Sequence, residues 1–154
     1  MISDGANIID IGAVSSRPGS ISVDSKEELK RIQPICDLIY KEKLYEHVLF
    51  SIDSYAPEVI KYSLDCGFKI VNDITGLKND EVAKITAQYN AQLVIMHMQK
   101  MPDNMQSNPS YKNVITDIGD FFEKQIKKAH HFGIKNIVLD VGIGFGKTLG
   151  HNLC

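Results

Sequence analysis

The chain has 154 residues, of which 44% are hydrophobic and 23% are charged, as is ordinary for one soluble globular domain. Its net charge of −2 gives no reason to expect nucleic-acid binding, and no apolar run approaches the roughly 18 residues of a membrane span. The three cysteines form no Cys-x-x-Cys pair, so reduced thiols in a cytoplasmic protein are the simplest interpretation.

Five short apolar runs recur along the chain. Each has four or five residues and is rich in Ile, Val and Leu, which is typical of a strand buried on both faces of a parallel sheet. These predicted strands are Ile8–Ile11, Val48–Ile52, Ile70–Ile74, Leu93–Met96 and Ile137–Val141.

Helical signals occupy the segments between the strands. Ser25 followed by Glu28 predicts a capping box at the start of the first helix. Gly67 and Gly133 suit the ends of the second and the last helix, and Asp80 predicts the cap of a short helix between them. Strands that alternate with helices indicate a parallel α/β fold with right-handed crossovers.

Two architectures fit five βα units. One is a complete doubly wound sheet of flavodoxin type, and the other is part of a (β/α)8 barrel, which usually has about 250 residues. Length alone favours the doubly wound sheet, and the periodicity leaves both architectures open.

Polar residues stand at the carboxyl ends of the strands, where parallel α/β proteins bind ligands. A carboxylate there is costly to bury without a partner, so several around one centre predict a polar small-molecule site. A flat heterocycle with adjacent N–H and NH2 donors would match such a site, because a carboxylate accepts a pair of neighbouring donors in bidentate fashion. The polar residues at the strand ends are Asp10, Asp53, Asn72, Asp73, His97 and Asp140.

Several neighbouring polar residues are expected to be structural. Asp10 and Asp73 alternate away from the site if Asn72 and Asp140 point into it. His97 has no second His or Cys at metal-ligand spacing, so we expect a structural histidine there.

The segment from Gly142 to Lys147 looks superficially like a phosphate-binding loop. That pattern requires a glycine where this chain has Val141, so the match fails. Its glycines instead predict a tight strand-to-helix turn close to a ligand.

Seven segments match, in order and spacing, the motifs of one known family. They are Asn7–Gly12, Ser15–Gly19, Ser51–Ser54, Val71–Ile74, Ile95–Met98, Met101-Pro102 with Met105-Gln106, and Leu139–Phe145. Over essentially its whole length the chain resembles the dihydropteroate synthases. The Ser-x-Arg-Pro-Gly loop and the Asp-x-Gly-Ile-Gly-Phe turn are specific when they occur together.

The resemblance implies a (β/α)8 barrel and a transferase of folate biosynthesis. Such an enzyme joins 6-hydroxymethyl-7,8-dihydropterin diphosphate to p-aminobenzoate and releases 7,8-dihydropteroate and pyrophosphate. The family also implies Mg²⁺ as cofactor, sulfonamides as competitors of p-aminobenzoate, a cytoplasmic location and a homodimer when full length.

The resemblance assigns three sets of residues to the site. The pterin ring is hydrogen-bonded by Asp53, Asn72 and Asp140, its apolar walls are Ile74, Met96 and Phe145, and the loop over p-aminobenzoate and diphosphate contains Ser16, Arg17 and Pro18. Asp53 and Asp140 are also implied to be catalytic, because they would stabilise an electron-poor dihydropterin cation electrostatically.

Three positions depart from the family, which usually has Glu at Val14, Thr at Ser16 and Pro at Val141. The resemblance further implies that residues 1–154 are a single pterin-binding domain, incomplete at both ends, matching strands two to six of the barrel. The Asn that binds Mg²⁺, a pterin-side Lys and an Arg-x-His pair for the diphosphate are then expected outside this chain. We therefore expect no metal ligand within it and no activity from it alone.

Two other functions stay open. A methyltetrahydrofolate-binding methyltransferase shares the barrel and the strand-end Asp and Asn pattern, although the Ser16–Gly19 loop argues against it. The second function is that of a non-catalytic chain, either a flavodoxin-like binding module or one half of a split assembly.

Overall fold

The computed structural model describes residues 1–15, 17, 20, 23–100, 105 and 108–154. Within these residues, five strands form one parallel sheet in chain order. The strands are β1 (Ile8–Ile11), β2 (Leu49–Asp53), β3 (Ile70–Asp73), β4 (Gln92–Met96) and β5 (Ile137–Asp140).

Helices connect the strands and cover one face of the sheet. They are α1 (Ser25–Lys41), α2 (Pro57–Asp65), α3 (Asp80–Gln88), α4 (Val114–His131) and α5 (Leu149–Asn152), with a 3-10 turn at Leu44–Glu46. No helix of the described ranges is long and apolar enough to cross a membrane.

The strand order decides between the two predicted architectures. Doubly wound sheets reverse their strand order at a switch point, as in the order 2-1-3-4-5. Here the order follows the chain from β1 to β5 without reversal. The strand order therefore excludes the flavodoxin-like alternative, and the sheet is an arc of a (β/α)8 barrel.

The core lies between the sheet and its helices. Ile52, Val71 and Leu93 point to this helix face and are completely buried, and Ile32 and Ile60 meet them from α1 and α2. Burying such side chains stabilises the fold by about 1.5–3 kcal/mol each. This layer holds the strand ends in place.

The opposite face of the sheet is partly open. Ile8, Leu49 and Val138 lie there and are 52%, 46% and 43% exposed. The expected burial on both faces therefore fails for β1 and β5, each of which has a strand neighbour on one side alone within the described chain, and on β2 it fails at Leu49.

Two helix caps differ from the prediction by one residue. Asp24, rather than Ser25, caps α1, and Asn79, rather than Asp80, caps α3; each side chain accepts a hydrogen bond from the amide two residues on. Glu28 does not return to the helix start as a capping-box residue, because it is buried, at 6% exposure. Burial raises its pKa, and the Ser54 hydroxyl opposes this by hydrogen bonding.

Asp73 ends β3 on the helix face and is completely buried. Its carboxylate accepts hydrogen bonds from the Thr75 amide at 2.8 Å, the Thr75 hydroxyl at 2.6 Å and the Leu77 amide at 3.0 Å. The structural role predicted for Asp73 is therefore confirmed, since one side chain closes the turn between β3 and α3.

Replacing Asp73 with Ala should lower the free energy of unfolding by about 3 kcal/mol, because buried donors of the turn lose a charged acceptor. Urea denaturation with an unchanged slope checks this. Glu123→Ala, which removes an exposed pair with Lys127, is the matched control and should cost about 0.5 kcal/mol or less. A cost for Asp73→Ala no larger than the control's would contradict the role given to Asp73.

Candidate functional site

Alternate side chains of the five strands line a groove of about 250 Å³ on the open face of the sheet. Because side chains alternate along a strand, the parallel register places every second residue of each strand on this groove face. The lining residues are Ile8, Asp10, Ser51, Ile70, Asn72, Gln92, Val94, Val138 and Asp140.

Asp10 lies on the groove face, so the expectation that it points away is wrong. It pairs in register with Ser51, which precedes Asp53 by two residues and shares its face. The Asn72 Nδ2 group donates a hydrogen bond to Asp10 Oδ2 at 3.2 Å. The direction of Asp10 depends on the relative stagger of neighbouring strands. Alternation within a single strand cannot predict that stagger.

The contact with Asp10 fixes the orientation of the Asn72 amide. An ionised carboxylate can only accept a hydrogen bond, so the NH2 end of the amide must face Asp10. The amide oxygen of Asn72 is then directed away from Asp10, as an acceptor for a donor elsewhere on the groove face.

Asp53 pairs in register with Asn72 and therefore lies on the same face, at the carboxyl end of β2. Gly12 stands beside it: a Cβ at Gly12 would lie 3.2 Å from the Asp53 Cβ. Burial, followed by the charges of Asp10, Glu28 and Asp73, raises the pKa of Asp53 to about 6. Burial is the largest cause, and the carboxylates at the ends of β1 and β3 and on α1 add to it.

Asp140 ends β5 on the groove face and begins the predicted glycine turn. Its Oδ1 accepts a hydrogen bond from the Gly142 amide at 2.8 Å. Gly142 has φ +66°, and a Cβ there would lie 2.3 Å from the His97 carbonyl oxygen. Only glycine fits this position, so the predicted tight turn is confirmed.

The three predicted apolar wall residues meet in one small cluster. Ile74 and Met96 are 5% and 3% exposed, and Phe145 packs against them from the glycine turn. Met98, Met105 and Tyr55 complete the cluster. The carboxyl ends of β3 and β4 thus carry a packed apolar cluster next to the polar row, and Tyr55 and Phe145 are its partly exposed members.

The predicted substrate loop is described at one of its three positions. Arg17 is exposed, and its amide donates to Ser15 Oγ at 3.4 Å. Ser16 and Pro18 lie outside the described residues, as do Gly19, Met101, Pro102 and Gln106 of the matched motifs. Their assignment stays a prediction.

His97 is a structural histidine, as predicted. It is 5% exposed, and its ring packs edge-on against Phe121 with ring centres 4.9 Å apart. Its Nδ1 lies 3.1 Å from Lys147 Nζ. Burial, together with the Lys147 charge, lowers the pKa of His97 to about 4, so the ring is neutral.

Lys147 is the site residue that sequence reasoning missed. It is 5% exposed at the end of the glycine turn, and burial lowers its pKa to about 8. No local pattern marks it, because the carbonyls of His97, Gly142 and Phe145 that accept from its ammonium group meet only in the folded chain.

The described residues contain no group of three or more His, Cys, Asp or Glu side chains able to hold a metal ion. The carboxylates of the groove face are spread over separate strands instead. The described donor set does not fit a resident metal.

The pKa of Asp53 gives a testable pH dependence. An unfolded Asp loses its proton at about pH 3.9, whereas folded Asp53 keeps it to about pH 6. The folded state therefore binds the extra proton, and this group lowers stability as the pH rises from about 4 to 6. Asp10→Asn should lower the Asp53 midpoint, because it removes a neighbouring negative charge.

A ¹³C NMR titration of the Asp53 carboxyl carbon measures that midpoint. Asp120→Asn, at an exposed position on α4, is the control and should leave it unchanged. A wild-type midpoint near 4, or one that Asp10→Asn does not lower, would contradict the electrostatic coupling of the strand ends.

Comparison with known proteins matches residues 1–154 to the family described as pterin binding enzyme. The dihydropteroate synthase of Escherichia coli is 39% identical over 154 residues, covering 99% of this chain and 54% of that protein. The bifunctional dihydropteroate synthase/dihydropteroate reductase of Helicobacter pylori is 37% identical, covering 97% of this chain and 39% of that protein. The chain thus spans about half or less of the length of these relatives.

Solved structures agree with these relatives. The Yersinia pestis dihydropteroate synthase, in complex with a sulfonamide drug, superposes with a TM-score of 0.91 at 37% identity, over 99% of this chain and 55% of that one. The Thermus thermophilus enzyme, in complex with 4-aminobenzoate, gives 0.90 at 35% identity, over 99% and 57%. The expected partial (β/α)8 barrel is confirmed, and the chain belongs to the pterin-binding enzyme family.

Proposed function

We propose that this chain provides the pterin-binding part of a dihydropteroate synthase. The reaction condenses 6-hydroxymethyl-7,8-dihydropterin diphosphate with p-aminobenzoate to give 7,8-dihydropteroate and pyrophosphate. One observation carries the proposal: a row of carboxylates and one oriented amide lies on the groove face beside an apolar cluster. This combination suits a flat, donor-rich heterocycle.

The polar row supplies what the rim of a pterin ring needs. Asp140 and Asp53 present carboxylate oxygens to ring N–H and NH2 donors, in the charge-assisted geometry that favours paired donors. Asn72 adds a neutral acceptor whose direction Asp10 sets. Met96 and Phe145 supply an apolar surface for the ring faces.

The same residues suit the proposed chemistry. Ionisation of the C–O bond at the pterin methylene leaves positive charge on the ring and sends the electron pair out with diphosphate. The arylamine nitrogen then attacks the methylene carbon and loses a proton. Asp53, with its pKa at about 6, is mostly ionised at pH 7 and stabilises that cation together with Asp140.

Complexes of the relatives support the proposed substrates. Thermus thermophilus dihydropteroate synthase has been solved with 4-aminobenzoate and with 6HMPPP, and the Yersinia pestis enzyme with a sulfonamide drug. We extend these ligands to the protein that carries this chain. The relatives are synthases, so a methyltransferase is not favoured.

Three further features belong to this proposal as expectations from the resemblance. They are a cytoplasmic location, a homodimer of the full-length protein, and Mg²⁺ held through an Asn outside this chain. Mg²⁺ usually takes one or two carboxylates with substrate phosphates, so it is expected beside the diphosphate rather than on the groove face.

The full-length protein should release pyrophosphate from dihydropterin diphosphate and p-aminobenzoate, and a sulfonamide should inhibit it competitively against p-aminobenzoate. Asp140→Asn should lower kcat/KM about 10²–10³-fold, because it removes charge where the cation develops. Asp120→Asn, far from the groove on an exposed face of α4, is the control.

No pyrophosphate release at micromolar enzyme would contradict the proposed function. If the Asp140→Asn enzyme were as active as the control, the proposed reaction would still stand, but the catalytic role given to Asp140 would be wrong.

The 154-residue chain on its own should have less than about 1% of the activity of a full-length relative. The relatives are about twice as long as this chain, and the resemblance implies that further groups of the site lie in the part that this chain does not match. Loss of one group that stabilises the transition state typically costs about 10²–10³ in rate, and about 1 Å of displacement can cost another hundredfold. Activity above that level, with contamination excluded, would show that the unmatched strands are dispensable.

A further inference from the structure

A buried ammonium group lies at the junction of β4 and the glycine turn. Lys147 is 5% exposed, and its Nζ has four acceptors within 3.3 Å. They are the Gly142 carbonyl at 3.0 Å, the Phe145 carbonyl at 3.1 Å, His97 Nδ1 at 3.1 Å and the His97 carbonyl at 3.3 Å. None of the four is a carboxylate, so the charge is solvated by oriented dipoles.

These acceptors belong to two segments that meet at the end of the sheet. The His97 amide donates to the Asp140 carbonyl at 2.9 Å and so extends the pairing of β4 and β5 by one residue. The Phe145 amide donates to the Gly142 carbonyl at 3.0 Å and closes the turn. Lys147 therefore ties the turn after β5 to the end of β4.

One of these contacts leads directly to the groove. The Gly142 carbonyl accepts from Lys147, and the Gly142 amide donates to Asp140 Oδ1 at 2.8 Å. Glycine has the widest backbone freedom of any residue, so its conformation needs an outside constraint to be held. The ammonium group supplies that constraint on the residue that orients the Asp140 carboxylate.

A second contact leads to the apolar cluster. Phe145 packs against the cluster with Ile74 and Met96, and its carbonyl accepts from Lys147. Holding this carbonyl fixes the backbone from which the ring projects. The same cation therefore restrains both a polar and an apolar member of the candidate site.

We propose that Lys147 is a positioning residue of the pterin site, which sets Asp140 through Gly142 and sets the apolar wall through Phe145. This assignment rests on the proposed function for the identity of the ligand. It does not make Lys147 a substrate contact, because the ammonium group is buried and directed at protein acceptors.

Lys147→Met tests the proposal, because it removes the ammonium group and keeps an unbranched side chain of similar length. In the folded variant, the ¹³C resonance of the Asp140 carboxyl carbon should move at constant pH. The amides of residues 142–145 should become more mobile by ¹⁵N relaxation. The dissociation constant for 6-hydroxymethylpterin, followed by its fluorescence, should rise at least tenfold.

Lys127→Met is the matched control. Lys127 is 74% exposed on α4 and pairs with Glu123, so its removal should leave all three signals unchanged. A lysine with a merely structural role would lower the unfolding midpoint and leave the Asp140 signal and the pterin affinity of the folded protein where they are. That result would overturn the proposal.

Two further outcomes also decide whether Lys147 positions the site. If Lys147→Met does not fold, the wild-type chain gives the answer: order parameters near about 0.85 for residues 142–145 support a restrained turn, and values below about 0.6 overturn it. If the wild-type full-length protein binds no pterin, that result counts against the proposed function, while the Asp140 resonance in Lys147→Met still decides the role of Lys147.

Discussion

The parallel register of the five strands is the constraint on which the rest of the site depends. Side chains alternate between two faces, so a slip of one residue would exchange the helix face for the groove face along an entire strand. The buried apolar residues of the helix face, such as Ile52, Val71 and Leu93, fix the register. Once the register is fixed, it determines the face of the sheet on which each polar residue at a strand end lies.

This constraint gathers negative charge at one edge of the sheet. Asp10 and Asp53 lie on adjacent strands, and their interaction contributes to the raised pKa of Asp53. Hydrogen bonds from the Asn72 amide to Asp10 and from the Gly142 amide to Asp140 offset part of the free-energy cost of gathering these carboxylates. The acceptors that remain are suited to a ligand rich in N–H groups, and burying such a ligand completes the hydrogen bonding of the row.

Elements whose signal is local could be predicted from the sequence. All five strands lie where apolar runs placed them, within a residue or two at each end. Gly67 and Gly133 follow α2 and α4 with positive φ, as helix-ending glycines do. Asp73 was assigned correctly to the helix face, because its neighbours on β3 determine its direction.

Features that depend on contacts between distant segments could not be predicted in this way. The direction of Asp10 depends on the stagger of β1 against β2, which alternation within one strand does not contain. Glu28 lies in the first turn of α1 as expected, but its side chain is buried instead of closing a capping box. Lys147 is a buried cation, and its acceptors come from the residue after β4 and from a turn that only the folded chain assembles.

The central claim is that the groove face recognises a pterin through the strand-end carboxylates and amide. A structure of the full-length protein with dihydropterin diphosphate bound tests this most directly. The account predicts that the ring donates hydrogen bonds to Asp53, Asn72 and Asp140 and packs against Met96 and Phe145. A ring bound elsewhere, or bound in the groove with its donors turned away from these three residues, would contradict it.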